Sequence, residues 1–579
     1  MKKNCLLFLI SLLSISIDAQ PCNFQWAHSL LGTSSVSNSV TTDAAGDVYV
    51  TGYYYGTIDF DPGPAIFNLT ASGNLSDAFI QKLTANGDLI WAKSIGGLGW
   101  TEASSITTNT AGDVYLTGFY TGTADFDPGA ATFNLTSNGG GDIFIEKLTT
   151  NGNFVWAKSI GGLSWDGVNS ITTSTAGDIY LTGYYYGTAD FDPGSATFNL
   201  TSNGDKDIFV QKLAANGNFI WAKSIGGGTS DEAKSIATDM AGNVYVTGFY
   251  TGTADFDPGT STFNFTSNGS GDIFIEKLTA NGNFVWVKSI GGSGMVGDIA
   301  TSIITDAVGN IYVGGGFSAT VDFDPGPAIF NLSEPTNGGS RNIFIEKLDT
   351  NGKFIWAKSI GASSNDFVSA MTIDNLGNLY VTGSYFGTVD FDPGPATFNL
   401  TATPIDTNGP FLFGNFTEIF IEKLDTNGQF IWAKSVGGPT EEQSTTIVAD
   451  NSGNIYVSGY FYGTADFDPG VGTFNLIGLD TNNMFILKLS NSTVSIIENS
   501  LFSNVAIFPN PTKNLVNINL GKLKDVSIKL IDVSGQLIYH QTHINTSVHR
   551  FKLNVTTGLY FIEIIDATGE KSFRKIIVN

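Results

Sequence analysis

The sequence has few of the side chains on which most catalytic and metal sites depend. Histidine occurs 4 times in 579 residues and cysteine 2 times. The sequence has 28 basic and 53 acidic residues, which gives a net charge of −25. Between residues 20 and 490 the single histidine is His28 and the single arginine is Arg341. This region therefore has almost no histidine for Ser-His-Asp catalysis or for a histidine metal site. The excess of acidic residues disfavours nucleic acid as a partner.

Long apolar runs are also missing. The longest, residues 6–17, follows Lys2-Lys3 and precedes the small residue Ala19, which is the pattern of a secretory signal peptide over residues 1–19. That run is too short to cross a bilayer, so we predict no transmembrane span. Because Cys5 lies inside this segment, Cys22 stays alone in the mature chain and no intrachain disulfide is expected.

One pentapeptide, Asp-Phe-Asp-Pro-Gly, recurs seven times at nearly constant spacing. Its second aspartate advances in steps of 66, 65, 65, 67, 68 and 76 residues. The aspartate pairs are Asp59 and Asp61, Asp125 and Asp127, Asp190 and Asp192, Asp255 and Asp257, Asp322 and Asp324, Asp390 and Asp392, and Asp466 and Asp468. Such a period predicts a repeat architecture.

The second copy shows what one repeat contains. Residues 105–108, 114–120, 142–148 and 154–160 are rich in β-branched and aromatic residues and predict four strands. Asn-Gly at residues 151–152 predicts a tight hairpin between the third and fourth strands. Four antiparallel strands per repeat, with no helical periodicity, are typical of a β-propeller blade in an all-β fold.

The two ends of the array complement each other. Residues 24–27 match a fourth strand that has no third strand before it, and residues 484–489 match a third strand that has no fourth after it. Together they complete one blade, which predicts a seven-bladed propeller over residues 20–490 closed by pairing of its N- and C-terminal strands. Closure would also remove exposed sheet edges. An open solenoid is the alternative, but it needs atypical capping units.

Two resemblances accompany this pattern. Gly-Asn-Ile-Tyr-Val-Ser-Gly at residues 453–459, with Phe-Ile-x-Lys-Leu and Asn-Gly-x-Phe-x-Trp, resembles the seven-bladed β-propeller repeat family of secreted bacterial proteins. This resemblance covers residues 24–490, and it implies a fold without a settled activity.

After a short polar linker, residues 491–504, the composition changes. Phe-Pro-Asn-Pro at residues 508–511, strand-like segments at 516–520, 526–531 and 560–564, and the basic residues Arg574 and Lys575 resemble a type IX secretion C-terminal sorting domain over residues 505–579. The resemblance implies a small β-sandwich, a partnership with the type IX secretion machinery, and delivery to the medium or the outer-membrane surface of a Gram-negative bacterium.

The aspartate pairs allow two interpretations. In an extended segment Asp59 and Asp61 lie on one side and Phe60 on the other. The carboxylates either cap the turn that Pro62 and Gly63 begin or bind calcium, which prefers carboxylate and carbonyl oxygens. Recurrence in every repeat favours the turn, and calcium stays open as the one cofactor that the sequence suggests.

Departures from the repeat are the candidate ligand-binding residues. Loops between strands two and three and between blades share one face, and these loops carry most of the variation. They contain two tryptophans at matching positions, an acidic set, and two phenylalanines within the insertion 403–417. In order they are Trp100, Trp165, Glu102, Asp166, Asp231, Asp298, Asp366, Glu442, Phe411 and Phe413. A tryptophan folded onto its neighbouring blade, solvated loop charges and a flap over the ring are the structural alternatives.

These observations predict a secreted or surface binding or scaffold protein, adhesin-like, that engages glycans or surface proteins through this face. A carbohydrate-active enzyme that uses loop carboxylates is the alternative, and no carboxylate pair stands out for that role. A structural surface component without a small ligand is the third interpretation.

Overall fold

The computed structural model describes residues 22–334, 339–362, 365–403, 417–479, 481–491, 505–508, 511–521, 523–532, 537–553, 555, 558–567 and 571–578. The chain divides into two compact units at the junction of Asn491 and Ser492. All regular elements in the described ranges are β-strands, and these ranges contain no helix long and apolar enough for a membrane span. The predicted signal peptide, residues 492–504 and the insertion residues Phe411 and Phe413 lie outside the described residues.

The strands of the larger unit are, in chain order, β1 (Cys22–Ser29), β2 (Leu31–Thr42), β3 (Val48–Asp59), β4 (Asn68–Thr70), β5 (Asp77–Leu83), β6 (Leu89–Gly97), β7 (Thr101–Thr108), β8 (Val114–Tyr120), β9 (Thr123–Asp125), β10 (Asn134–Thr136), β11 (Asp142–Leu148), β12 (Phe154–Gly162), β13 (Gly167–Thr173), β14 (Ile179–Asp190), β15 (Asn199–Leu213), β16 (Phe219–Gly227), β17 (Glu232–Thr238), β18 (Val244–Tyr250), β19 (Thr253–Asp255), β20 (Asn264–Thr266), β21 (Asp272–Leu278), β22 (Phe284–Ile290), β23 (Ile299–Thr305), β24 (Ile311–Phe317), β25 (Thr320–Asp322), β26 (Asn331–Ser333), β27 (Asn342–Leu348), β28 (Phe354–Ile360), β29 (Phe367–Ile373), β30 (Leu379–Tyr385), β31 (Thr388–Asp390), β32 (Asn399–Thr401), β33 (Glu418–Leu424), β34 (Phe430–Val436), β35 (Glu442–Ala449), β36 (Ile455–Phe461), β37 (Thr464–Asp466), β38 (Asn475–Ile477) and β39 (Asn483–Asn491).

Four-stranded antiparallel arrangements repeat along this unit. In the second repeat β8 lies between β7 and β11, and β12 completes the sheet beside β11. The short strands β9 and β10 form a hairpin that carries the Asp-Phe-Asp-Pro-Gly loop. The four strands predicted for this repeat are confirmed, with β7 and β12 longer than expected.

The core lies between neighbouring repeats. Ile143 and Ile145 of β11 are buried in one cluster with Ile179 and Leu181 of β14, which belongs to the next repeat. Burial of each such side chain contributes about 1.5–3 kcal/mol. Stacking of one repeat on the next therefore supplies the stability that an isolated four-stranded sheet would lack.

The N-terminal strand joins the last repeat. β1 pairs antiparallel with β39, with Trp26 opposite Lys488, in a sheet of order β1-β39-β36-β35. β2, the first strand of the first repeat, contacts β7 on one side and both β35 and β36 on the other. The Ser35 backbone N–H donates to the Asn482 carbonyl at 2.9 Å. The chain ends of this unit thus meet, as the sequence predicted for strands at residues 24–27 and 484–489.

The smaller unit contains β40 (Ala506–Phe508), β41 (Leu515–Asn519), β42 (Val526–Asp532), β43 (Leu537–Ile544), β44 (Val548–Lys552), β45 (Gly558–Ile565) and β46 (Lys571–Val578). They form two antiparallel sheets, of order β40-β41-β44 and β43-β42-β45-β46. Val516, Ile528 and Ile562 are buried in one cluster that draws on both sheets. The three strands predicted here correspond to β41, β42 and β45.

Candidate functional site

In the first Asp-Phe-Asp-Pro-Gly loop both aspartates cap backbone groups. Asp59 Oδ1 accepts the Asp61 N–H at 3.1 Å and the Phe67 N–H at 2.8 Å. Asp61 Oδ1 accepts the Gly63 N–H at 2.7 Å. Phe60 is buried, and its N–H donates to the Phe67 carbonyl at 2.9 Å. Asp59 therefore holds the two ends of the loop together, while Asp61 fixes its tip.

The other six loops repeat this pattern. In each, the first aspartate accepts two backbone N–H groups and the second accepts one, at 2.7–3.1 Å. The described residues contain no group of three or more His, Cys, Asp or Glu side chains placed to hold a metal ion. This geometry is that of a turn cap, and calcium binding stays a prediction from the sequence.

The phenylalanine of each loop anchors it to the core. Phe60 lies 5.3 Å from Tyr54 and 5.2 Å from Phe79 between ring centroids. Phe126 has the same relation to Tyr120 and Phe144, at 5.2 and 5.1 Å. Edge and tilted aromatic contacts of this kind add about 0.5–1.5 kcal/mol beyond the area buried. The loop is therefore a fixed part of its repeat.

Blade-to-blade loops lie against the loops between strands two and three, as predicted. An isolated bridge joins Gly141 and Trp165, and the Asp166 N–H donates to the Gly141 carbonyl at 2.9 Å. The Asp231 N–H makes the same bond to the Lys206 carbonyl at 2.9 Å. Both loop types therefore build one continuous face.

The predicted acidic set is mostly buried within this face. Asp166 accepts the Gly162 N–H at 2.8 Å and the Tyr186 N–H at 3.2 Å, and burial raises its pKa to about 7. Asp231 and Asp366 likewise each accept two backbone N–H groups, and burial raises the pKa of both to about 7. Asp298 and Glu442 are buried too.

The prediction of an exposed acidic rim therefore does not match these positions. Their carboxyls turn inward because the backbone amides of two adjoining loops need acceptors. Glu102 differs from the other acids: it is partly exposed, it accepts the Ser76 hydroxyl at 2.8 Å, and burial raises its pKa.

The two loop tryptophans are exposed, Trp100 by 42% and Trp165 by 36% of their surfaces. Trp165 packs on Phe119 of the preceding repeat, with ring centroids 5.1 Å apart. The Trp100 backbone N–H donates to Thr121 Oγ1 at 2.9 Å. The packing alternative therefore holds for Trp165, because its ring contacts Phe119, although part of its surface stays exposed.

Trp165 belongs to a larger group, which we call the aromatic cluster: Phe119, Trp165, Tyr184, Tyr186 and Phe249. Tyr184 and Tyr186 have centroids 6.0 Å apart at an interplanar angle of 88°. The other four rings are half-buried, so the cluster presents aromatic surface that is held in place by its packing.

A charged triad adjoins the aromatic cluster. Lys206 and Lys234 both pair with Glu232, which is 5% exposed. Lys206 Nζ lies 4.7 Å from the Tyr184 centroid and 5.6 Å from that of Phe249. Burial raises the pKa of Glu232, but Lys234 and Lys206 outweigh it and lower the pKa overall. The triad therefore keeps a charged carboxylate and two cations beside the rings.

Sequence reasoning missed this triad, although a signal was present. Residues 204–207 read Gly-Asp-Lys-Asp where the second and fourth repeats read Gly-Gly-Gly-Asp and Gly-Ser-Gly-Asp. Lys206 thus replaces a glycine, and it departs from the repeat as clearly as Trp165 does.

Family comparisons match both parts of the chain. Residues 220–257 and 355–384 match the model of a beta-propeller repeat, and residues 506–579 match that of a secretion system C-terminal sorting domain. The β-strands at these positions agree with both matches.

Among curated proteins, an uncharacterized WD repeat-containing protein, L264, of Acanthamoeba polyphaga mimivirus is 24% identical over 66% of this chain and 32% of its own length. The endo-acting ulvan lyase of Formosa agariphila is 26% identical over 18% of this chain and 21% of its own. The regulatory protein FlaEY of Caulobacter vibrioides is 25% identical over 31% and 18%.

The chain spans about a third or less of the length of these relatives. The most extensive of these matches is to the uncharacterized WD repeat-containing protein. The chain therefore contains β-propeller repeats and a secretion system C-terminal sorting domain, and the sorting domain indicates a secreted or surface protein.

Proposed function

We propose that the protein is a closed seven-bladed β-propeller, exported through the type IX machinery of a Gram-negative bacterium, that binds glycans in an adhesin-like role. The observation that carries the binding proposal is the aromatic cluster with its charged triad. It lies on the face where departures from the repeat concentrate.

Closure is supported by contacts between the first strands of successive repeats. β2 contacts β7, and the series continues through β13, β17, β23, β29 and β35, which contacts β2 again. Pairing of β1 with β39 supplies a fourth strand to the last repeat. A ring of seven such sheets accounts for both observations.

Glycan binding follows from the chemistry of the site. Sugar rings present apolar C–H faces that stack on Trp and Tyr, and hydroxyls that need charged or polar partners at their edges. Trp165 offers an exposed ring, and Lys206 and Lys234, which Glu232 holds in place, offer charged donors. Because Phe119 and Glu232 already hold these side chains, little side-chain entropy is lost when a ligand binds.

A glycosidase is less well supported by the described carboxylates. The carboxyls whose pKa is raised to about 7, such as those of Asp166 and Asp231, are buried, and their oxygens accept hydrogen bonds from backbone amides. A substrate would have to displace those hydrogen bonds. We therefore assign these acids to loop structure.

The binding test uses the full mature chain and a panel of purified polysaccharides in affinity electrophoresis. Ulvan belongs in the panel because relatives of this chain are named ulvan lyases. We expect Trp165→Ala to weaken binding by about tenfold or more, the loss typical of an aromatic hot spot. Leu163→Ala is the matched control, since Leu163 is 84% exposed two residues away, and it should bind as the wild type does.

Two results would contradict the proposal. One is a panel in which no polysaccharide retards the wild-type protein, which would favour a structural surface component. The other is equal retardation of the wild type and Trp165→Ala, which would place any glycan site elsewhere.

A further inference from the structure

Four repeats carry a glutamate at the centre of the third strand. Glu146, Glu276, Glu346 and Glu422 are fully buried, and neither carboxyl oxygen of any of them has a hydrogen-bond partner among the described residues. An ionised carboxylate in that position would forfeit its hydration without compensation, at a cost of several kcal/mol. Something other than a neighbouring side chain must balance it.

Two other repeats show what this position contacts. Gln81 replaces the glutamate in the first repeat, and its Nε2 donates to the Phe60 carbonyl at 2.7 Å. Gln211 does the same in the third repeat, donating to the Phe191 carbonyl at 2.6 Å. The acceptor in both is the phenylalanine carbonyl of the Asp-Phe-Asp-Pro-Gly loop, so the position requires a donor that points at that carbonyl.

The side chains that shift the pKa of these glutamates are all negatively charged aspartates. Burial raises the pKa of Glu146 well above its usual value, and Asp127 and Asp125 raise it further. Asp257 and Asp255 act on Glu276, Asp324 on Glu346, and Asp392 on Glu422, in each case after the larger effect of burial.

The neighbouring lysine does not offset this repulsion. Lys147 follows Glu146 in β11, so its side chain lies on the other side of the sheet. There it pairs with Asp113 at 2.8 Å.

We propose that these four glutamates are neutral carboxylic acids in the folded protein, each donating its O–H to the phenylalanine carbonyl of its own loop. By analogy with Gln81 and Gln211, the acceptors are the carbonyls of Phe126, Phe256, Phe323 and Phe391. A neutral O–H replaces the amide N–H, and the Asp-Phe-Asp-Pro-Gly loop is fastened to the third strand in the same way in six repeats. The seventh repeat has Leu487 at this position and lacks the fastening.

The consequence is a stability that depends on pH. In the unfolded chain a glutamate ionises near its usual pKa of about 4.3, whereas in the folded chain it keeps its proton to higher pH. The folded state therefore binds more protons between the two pKa values, and stability falls as pH rises through that window. Below the unfolded pKa the stabilisation is fully present.

The test compares the full mature chain with Glu146→Gln and Gln211→Glu in urea unfolding between pH 4.5 and 8, with a chelator present. Tryptophan fluorescence reports on the larger unit, because all 9 tryptophans precede residue 490. The unfolding constant of Glu146→Gln should equal that of the wild type near pH 4.5. At higher pH it should fall below the wild-type value by about tenfold per pH unit, up to the pKa of Glu146 in the folded chain. The unfolding constant of Gln211→Glu should rise above the wild-type value by the same factor per pH unit.

A second readout is direct. The infrared C=O band of protonated carboxyls should be present in the wild type at pH 7 and decrease in the variant with glutamine at all four positions. Two results would overturn the proposal. One is a dependence of the unfolding free energy on pH that is the same in Glu146→Gln and the wild type. The other is stabilisation by calcium at pH 8 of the wild type but not of Glu146→Gln. The latter would show an ionised carboxylate that binds a cation.

Discussion

At the scale of single residues, the fold depends on aspartates that accept backbone N–H groups where loops turn. The first aspartate of each Asp-Phe-Asp-Pro-Gly loop accepts two such groups, one of them eight residues away, as from Phe133 to Asp125 at 2.8 Å. Hydrogen bonds to a charged acceptor contribute about 1.5–3 kcal/mol each. The five-residue motif thus stabilises a loop that is longer than the motif itself.

We expect Asp125→Ala to lower the free energy of unfolding of the larger unit by about 2 kcal/mol, because two N–H groups lose their acceptor. Asp125→Asn is the matched control, since its carbonyl oxygen can accept both bonds, and it should lose less than half as much. Urea unfolding followed by tryptophan fluorescence measures both. Equal losses in the two variants would indicate that the negative charge, and not the acceptor, is what matters.

The same variants test the calcium prediction. Because amides already satisfy the Asp125 and Asp127 Oδ1 atoms, we expect calcium and a chelator to leave the melting temperature of the wild type unchanged. A rise with calcium but not with magnesium, absent in Asp125→Asn, would instead show that the loops bind the ion.

At the scale of the element, the proposed closure of the array depends on the N-terminal strand, β1. β1 covers β39, which would otherwise be an exposed edge with unpaired backbone groups. Its buried Ala27 packs in the same cluster as Leu487 and Leu489 of β39. One strand from the start of the chain thereby completes the last sheet.

Removal of β1 should therefore destabilise the larger unit and favour association. We expect a chain that lacks residues 22–29 to unfold at lower urea concentration and to form dimers or aggregates through β39, as light scattering would show. A matched control replaces Gln25, whose exposed side chain donates to the Ser490 hydroxyl at 2.9 Å, with Ala; it should lower the free energy of unfolding by no more than about 1 kcal/mol and leave the chain monomeric. A monomeric truncated chain of wild-type stability would argue against closure.

The sequence was most informative about elements and least about which way a polar side chain points. The third strand was predicted at residues 142–148 and observed as Asp142–Leu148, because alternation and the Asn-Gly turn determine it locally. Asp166 and Asp231 were expected at the surface but are buried, since each accepts a backbone N–H that lies 20 residues further along the chain. Glu146 was visible in the sequence, but its burial could not be predicted, because it depends on β11 having a neighbouring strand on each side.

At the scale of the whole molecule, the sorting domain and the proposed glycan-binding surface belong to separate units. The sorting-domain match covers residues 506–579, and the aromatic cluster and its triad lie in the larger unit. Deletion of residues 506–579 should therefore keep the protein from the medium and the cell surface in a type IX-competent host while leaving polysaccharide binding intact. Immunoblots of cell and medium fractions test the first part, and release of the truncated chain in normal amounts would contradict it.

Glycan binding on this face is tested most directly by amide hydrogen exchange of the mature chain with and without each polysaccharide of the panel. We expect slower exchange at residues 163–167, 184–187 and 204–206, where the loops of the aromatic cluster meet. We expect no change at the tight turns of the opposite face, such as residues 150–153. Protection confined to those turns, or no protection with any polysaccharide, would contradict the assignment of this face as a glycan-binding surface.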